Sequence, residues 1–138
     1  MKYLLDTNIL SELKKPKPEK KVVDFVKSLA QENIFISCIS IGEIKNGIVS
    51  CKDKTKAKEL NLWFEKYLIG ELKEQTVNLD VEIMAQWGEL TGKIKNLPIM
   101  DSLIAATCLE RKMCLVTRNV KDFTRIVELK IFNPWELD

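Results

Sequence analysis

The sequence predicts an α/β protein, a three-layer α/β/α sandwich built on a central parallel sheet. Short apolar segments of strand length alternate along the chain with longer segments whose apolar residues recur with helical spacing. The chain has 138 residues, of which 46% are hydrophobic, which suits one packed core. It contains no repeat, low-complexity stretch or linker, so we expect a single domain over residues 1–138.

The first half of the chain contains two predicted strands, at residues 3–5 and 34–37, both short apolar runs. The first strand ends at Asp6, and a short helix follows to about Lys14, where Pro16 and Pro18 stop it. Periodic apolar residues predict a second helix over 19–31. A third helix is predicted to follow Ser40, and a fourth, carrying several aromatic residues, is expected to end near Gly70.

The second half begins with a brief predicted strand at 76–77 and a long helix that Asn78 or Asp80 can cap. Another helix is predicted to begin at Pro98, followed by a strand at 114–117, a polar turn and an edge strand over 127–132. The two middle helices, over 52–70 and 81–95, could form a hairpin that leans off the sheet.

The composition excludes several kinds of chemistry. The chain has no histidine, which excludes Ser-His and Cys-His nucleophile pairs and histidine zinc motifs. Its four cysteines include no Cys-x-x-Cys pair, so a zinc site is not expected. The net charge of +2 neither requires nor excludes nucleic acid. Without a signal peptide or a membrane-length apolar run, we expect a cytoplasmic protein that does not enter a membrane.

Acidic residues occur where helices are predicted to begin, at Asp6, Glu43 and Asp101, and again at Asp122 in the polar turn. Each has a structural alternative, because acids are favoured at helix starts and in turns without any catalytic role. Ser40 and Glu43, for example, fit a capping box. In a parallel sheet, however, the segments that follow strands lie at one edge, so Asp6, Glu43 and the turn at 117–122 are expected to face one crevice. Asp101 could reach this crevice from the start of its own helix.

Carboxylates that meet in this way repel one another unless a cation neutralises them, and Mg²⁺ or Mn²⁺ suits an all-oxygen site. Such an ion can activate water and stabilise the charge on phosphoryl oxygens. The residues therefore favour hydrolysis of a phosphodiester by metal-activated water. They do not decide between one ion and two.

Four motifs resemble those of the PIN-domain nucleases: LDTN at 5–8, SIGEI at 40–44, DSLIAA at 101–106 and TRNVKDF at 117–123. Their order and spacing are similar to those of VapC-like toxins of bacterial and archaeal type II toxin–antitoxin pairs, including the FitB type. The resemblance extends over nearly the whole chain, to the terminal Asn133-Pro134-Trp135.

The resemblance implies a PIN-like fold and a Mg²⁺- or Mn²⁺-dependent endoribonuclease. Asp6, Glu43 and Asp101 match the family's metal-binding acids. At the fourth acidic position this chain has Asn119 where many relatives carry Asp, and Asp122 lies three residues further on. We expect Asp122 to be the fourth metal ligand and Asn119 to position water.

Three further polar residues, Thr7, Asn8 and Thr117, match positions that orient the acids or the attacking water; helix and turn capping is the alternative role. Because an acidic site repels a phosphate chain, basic residues are expected around it. We expect Arg118 and Lys121 to contact substrate phosphates, with Thr7 and Asn8 also beside the substrate. Surface charge without a ligand is the alternative for each basic residue.

Toxins of this family commonly form homodimers and are silenced by a cognate antitoxin, which binds DNA and inserts one end into a groove of the toxin. The resemblance therefore implies a homodimer, a toxin–antitoxin hetero-oligomer and an RNA substrate such as tRNA or ribosomal RNA. Two alternatives remain: a Mg²⁺-dependent phosphatase or deoxyribonuclease, and a non-catalytic binding module. Asn8 counts against a phospho-aspartate phosphatase, which usually has Asp-x-Asp after its first strand.

Overall fold

The structure, a computed structural model, describes residues 1–137 and confirms the predicted α/β/α architecture. Within these residues one sheet has the strand order β3-β2-β1-β4-β5, and every neighbouring pair is parallel. The strands are β1 (Lys2–Leu5), β2 (Ile34–Ser37), β3 (Thr76–Val77), β4 (Met113–Val116) and β5 (Ile131–Phe132). No helix in the described part of the chain is long and apolar enough to span a bilayer.

Six α-helices connect and cover the strands within residues 1–137. They are α1 (Thr7–Lys14), α2 (Lys20–Ser28), α3 (Cys38–Ser50), α4 (Lys54–Trp63), α5 (Val81–Lys93) and α6 (Ile99–Arg111). A π-helix, Phe64–Glu71, continues α4, and a short 3₁₀ turn, Pro134–Glu136, ends the described chain.

Alternation along the strands divides the apolar residues between the two faces of the sheet. In β1, Leu4 packs in a core with α5 and α6, whereas Leu5 packs in a second core with α1 to α4. Leu115 and Val116 of β4 divide in the same way. The sheet is therefore buried on both faces, as a parallel sheet requires.

The strand order places the carboxyl ends of β1 and β4 side by side in the middle of the sheet. From central β1 the chain builds outward to β2 and β3, and it later returns to the other side of β1 as β4 and β5. Leu5 is in register with Val116, and the Asp6 N–H donates to the Val116 carbonyl over 2.9 Å. Asp6 and Thr117 thus leave neighbouring strands at the same level, at the switch point where open α/β sheets bind ligands.

The start of α3 differs from the prediction. The helix begins at Cys38, and the Ser37 hydroxyl caps it by accepting from the Ile39 N–H at 3.0 Å. Ser40 is instead a fully buried residue within the helix, and Glu43 bonds to Thr7. The predicted capping box is therefore wrong, because Ser37 already supplies the cap and Glu43 has a partner on another helix.

The predicted hairpin between the middle helices is also wrong. Phe64 and Leu68 of the π-helix pack in the core beside α1 to α3, whereas Ile83 and Leu90 of α5 pack in the core on the opposite face. The separation arises because β3 joins the sheet between them and carries the chain from one face to the other.

Some element boundaries also differ from the sequence prediction. Helix α2 ends at Ser28, after which a separate 3₁₀ turn covers Gln31–Asn33. Strand β5 contains only Ile131–Phe132, because 3₁₀ and turn structure occupies much of the segment before it. The cap of α5 is Asp80, whose carboxylate accepts from the Ile83 N–H at 2.9 Å, so of the two predicted caps Asp80 is confirmed.

Candidate active site

A cleft of about 390 Å³ opens at the carboxyl ends of β1 and β4. Helices α1, α3 and α6, the segment after β4 and the C-terminal 3₁₀ turn contribute to its wall. The lining residues are Asp6, Thr7, Asn8, Ser11, Glu12, Lys15, Glu43, Asp101, Arg118, Asn119 and Trp135. The structure thus brings together Asp6, Glu43 and Asp101, the three acids that the motifs single out.

Asp6 is the most enclosed of these acids, with 6% of its surface exposed. It precedes α1, and its Oδ1 accepts from the Thr7 N–H at 2.8 Å, so Asp6 caps the helix and lines the cleft at once. Its Oδ2 accepts from Thr117 Oγ1 at 2.8 Å and from Asn8 Nδ2 at 3.4 Å. These donors fix the plane of the carboxylate.

Thr117 and Asn8 join the ends of β4 and β1. The Thr117 hydroxyl is fully buried; it donates to Asp6 and accepts from Asn8 Nδ2 and from the Asn119 N–H, both at 3.1 Å. Asn8 Oδ1 accepts from the Arg118 N–H at 3.2 Å. Thr117 and Asn8 are therefore positioning residues that hold Asp6 and the start of the polar turn in one network.

Thr7 connects α1 to Glu43 of α3. Its Oγ1 lies 2.6 Å from Glu43 Oε1 and 2.8 Å from Ser40 Oγ. A hydroxyl has one proton, and an ionised carboxylate can only accept, so Thr7 donates to Glu43 and Ser40 supplies the proton for the other bond. Buried Ser40 thereby helps to hold Glu43 at the cleft, a role that the sequence pattern did not show.

Burial and like charge act together on the acids. Burial raises the pKa of Asp6, as does the charge of Glu43, against the lowering effect of hydrogen bonds from Thr117, Thr7 and Asn8. Asp101, in the first turn of α6, has its pKa raised by partial burial and then by the charges of Asp6, Asp122 and Glu43. The acids therefore form one coupled electrostatic group that a cation would stabilise.

The donor chemistry of the cleft fits Mg²⁺ or Mn²⁺, since it consists of carboxylate, hydroxyl and amide oxygens. Among residues 1–137, no three acidic side chains stand close enough to form a complete ligand cage. Mg²⁺ does not require one, because it is usually held by one or two carboxylates together with waters and substrate phosphates. Asp6, with its carboxylate already oriented, fits that requirement best.

The two candidates for the fourth acidic position, Asn119 and Asp122, lie in different places. Asn119 lines the cleft, whereas Asp122 is exposed on the 3₁₀ turn Val120–Phe123 and is not part of the wall. Asp122 still lies near enough for its charge to raise the pKa of Asp101. Lys121 is likewise exposed outside the cleft, because the turn directs the chain away after Asn119.

Three residues of the cleft wall, Ser11, Glu12 and Trp135, were not predicted as site residues from the sequence. Glu12 of α1 is 6% exposed, and its carboxylate accepts from the Glu19 N–H at 2.8 Å and pairs with Lys15 Nζ at 2.8 Å. Trp135 stands beside Arg118, whose guanidinium carbon lies 4.9 Å from the centre of the indole ring. The sequence shows that Glu12 and Lys15 are three residues apart, as in an ion pair on a helix, but nothing in it distinguishes them from an exposed ion pair.

Known proteins are similar to this chain over nearly its whole length. The family model of the PIN domain matches residues 3–129. The chain belongs to the PIN domain family. Toxin FitB of Neisseria gonorrhoeae is 26% identical to this PIN domain over 136 residues, which cover 96% of this chain and 97% of FitB.

A second relative is the tRNA(fMet)-specific endonuclease VapC of Salmonella typhimurium, 28% identical over 135 residues that cover 95% of this PIN domain and 96% of that protein. Among solved structures, FitAB bound to a DNA fragment matches with a TM-score of 0.88 at 27% identity, covering 99% of this chain and 97% of that one. The resemblance to VapC- and FitB-like toxins that the four motifs indicated is confirmed.

Proposed function

We propose that this chain, as a single PIN domain, is a divalent-metal-dependent endoribonuclease that acts as the toxin of a type II toxin–antitoxin pair. One observation carries the proposal: Asp6, Glu43 and Asp101 share an open cleft at the switch point of the sheet. Relatives of similar length support it, since one is named a toxin and another a tRNA-specific endonuclease.

The candidate residues to hold Mg²⁺, or Mn²⁺, are Asp6, Glu43 and Asp101, of which one or two would bind the ion together with water and substrate oxygens. When bound, the ion would lower the pKa of a water molecule and stabilise negative charge on the phosphoryl and leaving oxygens. Asp122 is not needed as a ligand, because the ion's remaining positions can be filled by water and substrate oxygens.

Other residues prepare the cleft for the reaction. Thr117 and Asn8 hold the Asp6 carboxylate in one orientation, and Thr7 holds Glu43. Pre-oriented groups lower the barrier because little reorganisation is left for the reaction itself. The Asn119 side chain, in the cleft wall, is proposed to position the attacking water by hydrogen bonding.

An RNA strand suits an open cleft of this kind, since single-stranded loops expose both backbone and bases. Arg118 lines the cleft and would contact a phosphate, which offsets the repulsion between the strand and the acids. We therefore propose a loop of tRNA or ribosomal RNA as the target, which places the protein in the cytoplasm.

A second groove, of about 330 Å³, continues from the cleft between α1, α3 and α4. The two share Thr7, Ser11, Lys15 and Glu43. Its apolar floor and basic residues are Ile44, Ile48, Leu60, Trp63, Lys14, Lys15 and Lys56. We propose that the antitoxin lays an amphipathic segment with acidic residues here, because that segment would match both the floor and the charge. One end of this segment would then reach the acids of the cleft and prevent the metal ion from binding.

The enzymatic proposal is tested by incubating purified protein with tRNA, ribosomal RNA, single-stranded DNA and p-nitrophenyl phosphate. We expect RNA cleavage with Mg²⁺ or Mn²⁺ and none after EDTA. Either ion should also raise the melting temperature. At an ion concentration one hundred times the dissociation constant, the free energy of unfolding should rise by about 2.7 kcal/mol. Cleavage that survives EDTA would reject the metal mechanism, and hydrolysis of DNA or phosphate ester alone would favour the alternative enzymes.

The biological proposal is tested by induced expression and by sedimentation. We expect the wild-type chain to arrest growth, Asp6→Asn to relieve the arrest, and the free protein to sediment as a homodimer. Co-expression with the gene product encoded beside it should yield a hetero-oligomer without nuclease activity. A wild-type chain that cleaves RNA but leaves growth unaffected would reject the toxin role while keeping the enzyme.

A further inference from the structure

The C-terminal 3₁₀ turn forms part of the cleft wall through Trp135. The indole packs partly against the core on the α1-to-α4 face of the sheet and also reaches the cleft. The Arg118 guanidinium lies over its ring, with 4.9 Å between the guanidinium carbon and the ring centre. This distance is within the range of a cation–π contact, so Trp135 holds the planar head of Arg118 in a defined place.

Asn133 holds both members of this pair. Its Oδ1 accepts from the Trp135 N–H at 2.9 Å and caps the 3₁₀ turn, while its Nδ2 donates to the Arg118 carbonyl at 3.4 Å. On the other side, the Arg118 N–H donates to Asn8 Oδ1. The Arg118 backbone is therefore fixed between Asn8 and Asn133, and its side chain lies against an aromatic plane.

Arg118 differs in its charge environment from the other cation of the cleft wall. Lys15 is paired with Glu12 at 2.8 Å, so the acid already neutralises it. Among residues 1–137, the Arg118 guanidinium has neither a hydrogen-bonded nor an ion-paired side-chain partner. Its charge lowers the pKa of Glu12 without a direct contact between the two side chains. Stacking occupies the face of a guanidinium and leaves its N–H edge available for an oxyanion.

We propose that Trp135 and Asn133 are positioning residues that hold the Arg118 guanidinium as a preformed contact for an RNA phosphate beside the scissile one. The inference rests on the proposed nuclease function and deepens it, since it assigns part of substrate binding to the C-terminal turn. Ordering the arginine before the substrate arrives removes an entropic cost from binding. The contact therefore acts on RNA affinity more than on the chemical step.

Binding is measured first, without cleavage, by the fluorescence anisotropy of a fluorescein-labelled single-stranded RNA in EDTA at several salt concentrations. We expect Trp135→Ala and Arg118→Ala each to raise Kd by about three- to tenfold. Arg118→Ala should also reduce the slope of log K against log salt by about 0.7, the value for one phosphate contact on a single strand. Trp135→Phe should retain most of the affinity, because it keeps an aromatic face.

Two further measurements separate positioning from general loss of structure. Trp135→Ala should add little to the effect of Arg118→Ala in the double variant, because Trp135 acts through the guanidinium. In Mg²⁺ the single variants should raise KM while kcat stays near the wild-type value. Asn133→Ala, which keeps the ring, is expected to raise Kd in the same direction by a smaller factor.

The matched control is Lys2→Ala. Lys2 Nζ lies 5.5 Å from the centre of the Phe35 ring, so the variant removes a cation and a cation–π contact. Lys2 begins β1, so it lies at the end of that strand away from the cleft. It should leave Kd, KM and the salt slope unchanged. Thermal unfolding of every variant shows whether it is folded under the binding conditions.

The outcomes distinguish this inference from the nuclease proposal. RNA binding that depends on Trp135, together with no cleavage by the wild type, keeps the positioning role and rejects the nuclease. Cleavage by the wild type with unchanged Kd and KM in Trp135→Ala rejects the positioning role alone. A Trp135→Ala effect that persists in full without Arg118, or a wild type that binds no RNA, also overturns the inference.

Discussion

The two ends of helix α1 carry buried carboxylates of opposite character. Asp6 precedes the helix and Glu12 lies in its last turns; both are 6% exposed and both line the cleft. Burial, followed by the charge of Glu43, raises the pKa of Asp6. By contrast, a hydrogen bond from Lys15 and another from the Glu19 N–H lower the pKa of Glu12.

The difference shows that burial alone does not mark a functional acid. Glu12 has a cation at 2.8 Å and a backbone donor, so its charge is satisfied within the protein. Asp6 has only neutral donors, and the nearby charge that raises its pKa is the negative charge of Glu43. A buried acid whose partners leave its charge uncompensated is a candidate ligand for a cation, whereas a paired one is structural.

The largest expected effect is on catalysis. Asp6→Asn should reduce RNA cleavage roughly a thousandfold, because ion ligation contributes several kcal/mol to the transition state and each 1.4 kcal/mol is about tenfold. Glu12→Gln, which removes a charge at the other end of the same helix, should retain most of the activity. Initial rates in Mg²⁺ compare the two, and equal losses would remove the distinction between the ends of α1.

The second effect is on stability, where Glu12→Gln is expected to cause the larger loss of the two variants. Glu12→Gln should lower the free energy of unfolding by about 1–2 kcal/mol, because it replaces a paired carboxylate by a weaker acceptor and leaves Lys15 unpaired. Asp6→Asn should stay within about 1 kcal/mol of the wild type without metal, because removing a buried charge and its repulsion from Glu43 offsets the loss of one acceptor oxygen. Urea unfolding in EDTA measures both; a larger loss for Asp6→Asn would make its role chiefly structural.

Local pattern predicted much of the fold. The apolar runs at 34–37 and 76–77 coincide with β2 and β3 because short β-rich segments bounded by polar residues have few alternatives. Asp6, Glu43 and Asp101 were predicted to meet because a parallel sheet brings helix starts together at one edge, and all three line the cleft. Glu43 does so from beyond the first turn of α3, which begins at Cys38 and not after Ser40.

Tertiary contacts decided what the pattern could not. Nothing in the sequence marked Glu12 as buried, because the N–H that it binds belongs to Glu19 at the start of α2, and only the fold brings the two together. Ser40 looked like a cap, but Ser37 precedes it with the same chemistry. Trp135 meets Arg118 only because β5 returns beside β4, a pairing that no local spacing encodes.

The smallest expected effect is a pH dependence with opposite signs for two acids. The pKa of Asp101 is raised in the folded protein, so the folded state binds its proton more tightly than the unfolded chain. Without metal, this acid therefore reduces stability as pH rises from its ordinary pKa of 3.8 through the raised folded value. The pKa of Glu12 is lowered, so its contribution is present above its ordinary pKa of 4.5 and is lost as pH falls through the folded value.

Asp101→Asn should consequently be more stable than the wild type at pH 7 in EDTA, by less than about 1 kcal/mol because the residue is only partly buried. That advantage should shrink on acidification and disappear well below pH 3.8, where the wild-type carboxyl is protonated in both the folded and the unfolded state. The deficit of Glu12→Gln should instead shrink on acidification. Adding Mg²⁺ at pH 7 should make the wild type more stable than Asp101→Asn, since only the wild type keeps the full set of acids. If Asp101→Asn remained the more stable protein in saturating Mg²⁺, Asp101 would be excluded as a ligand.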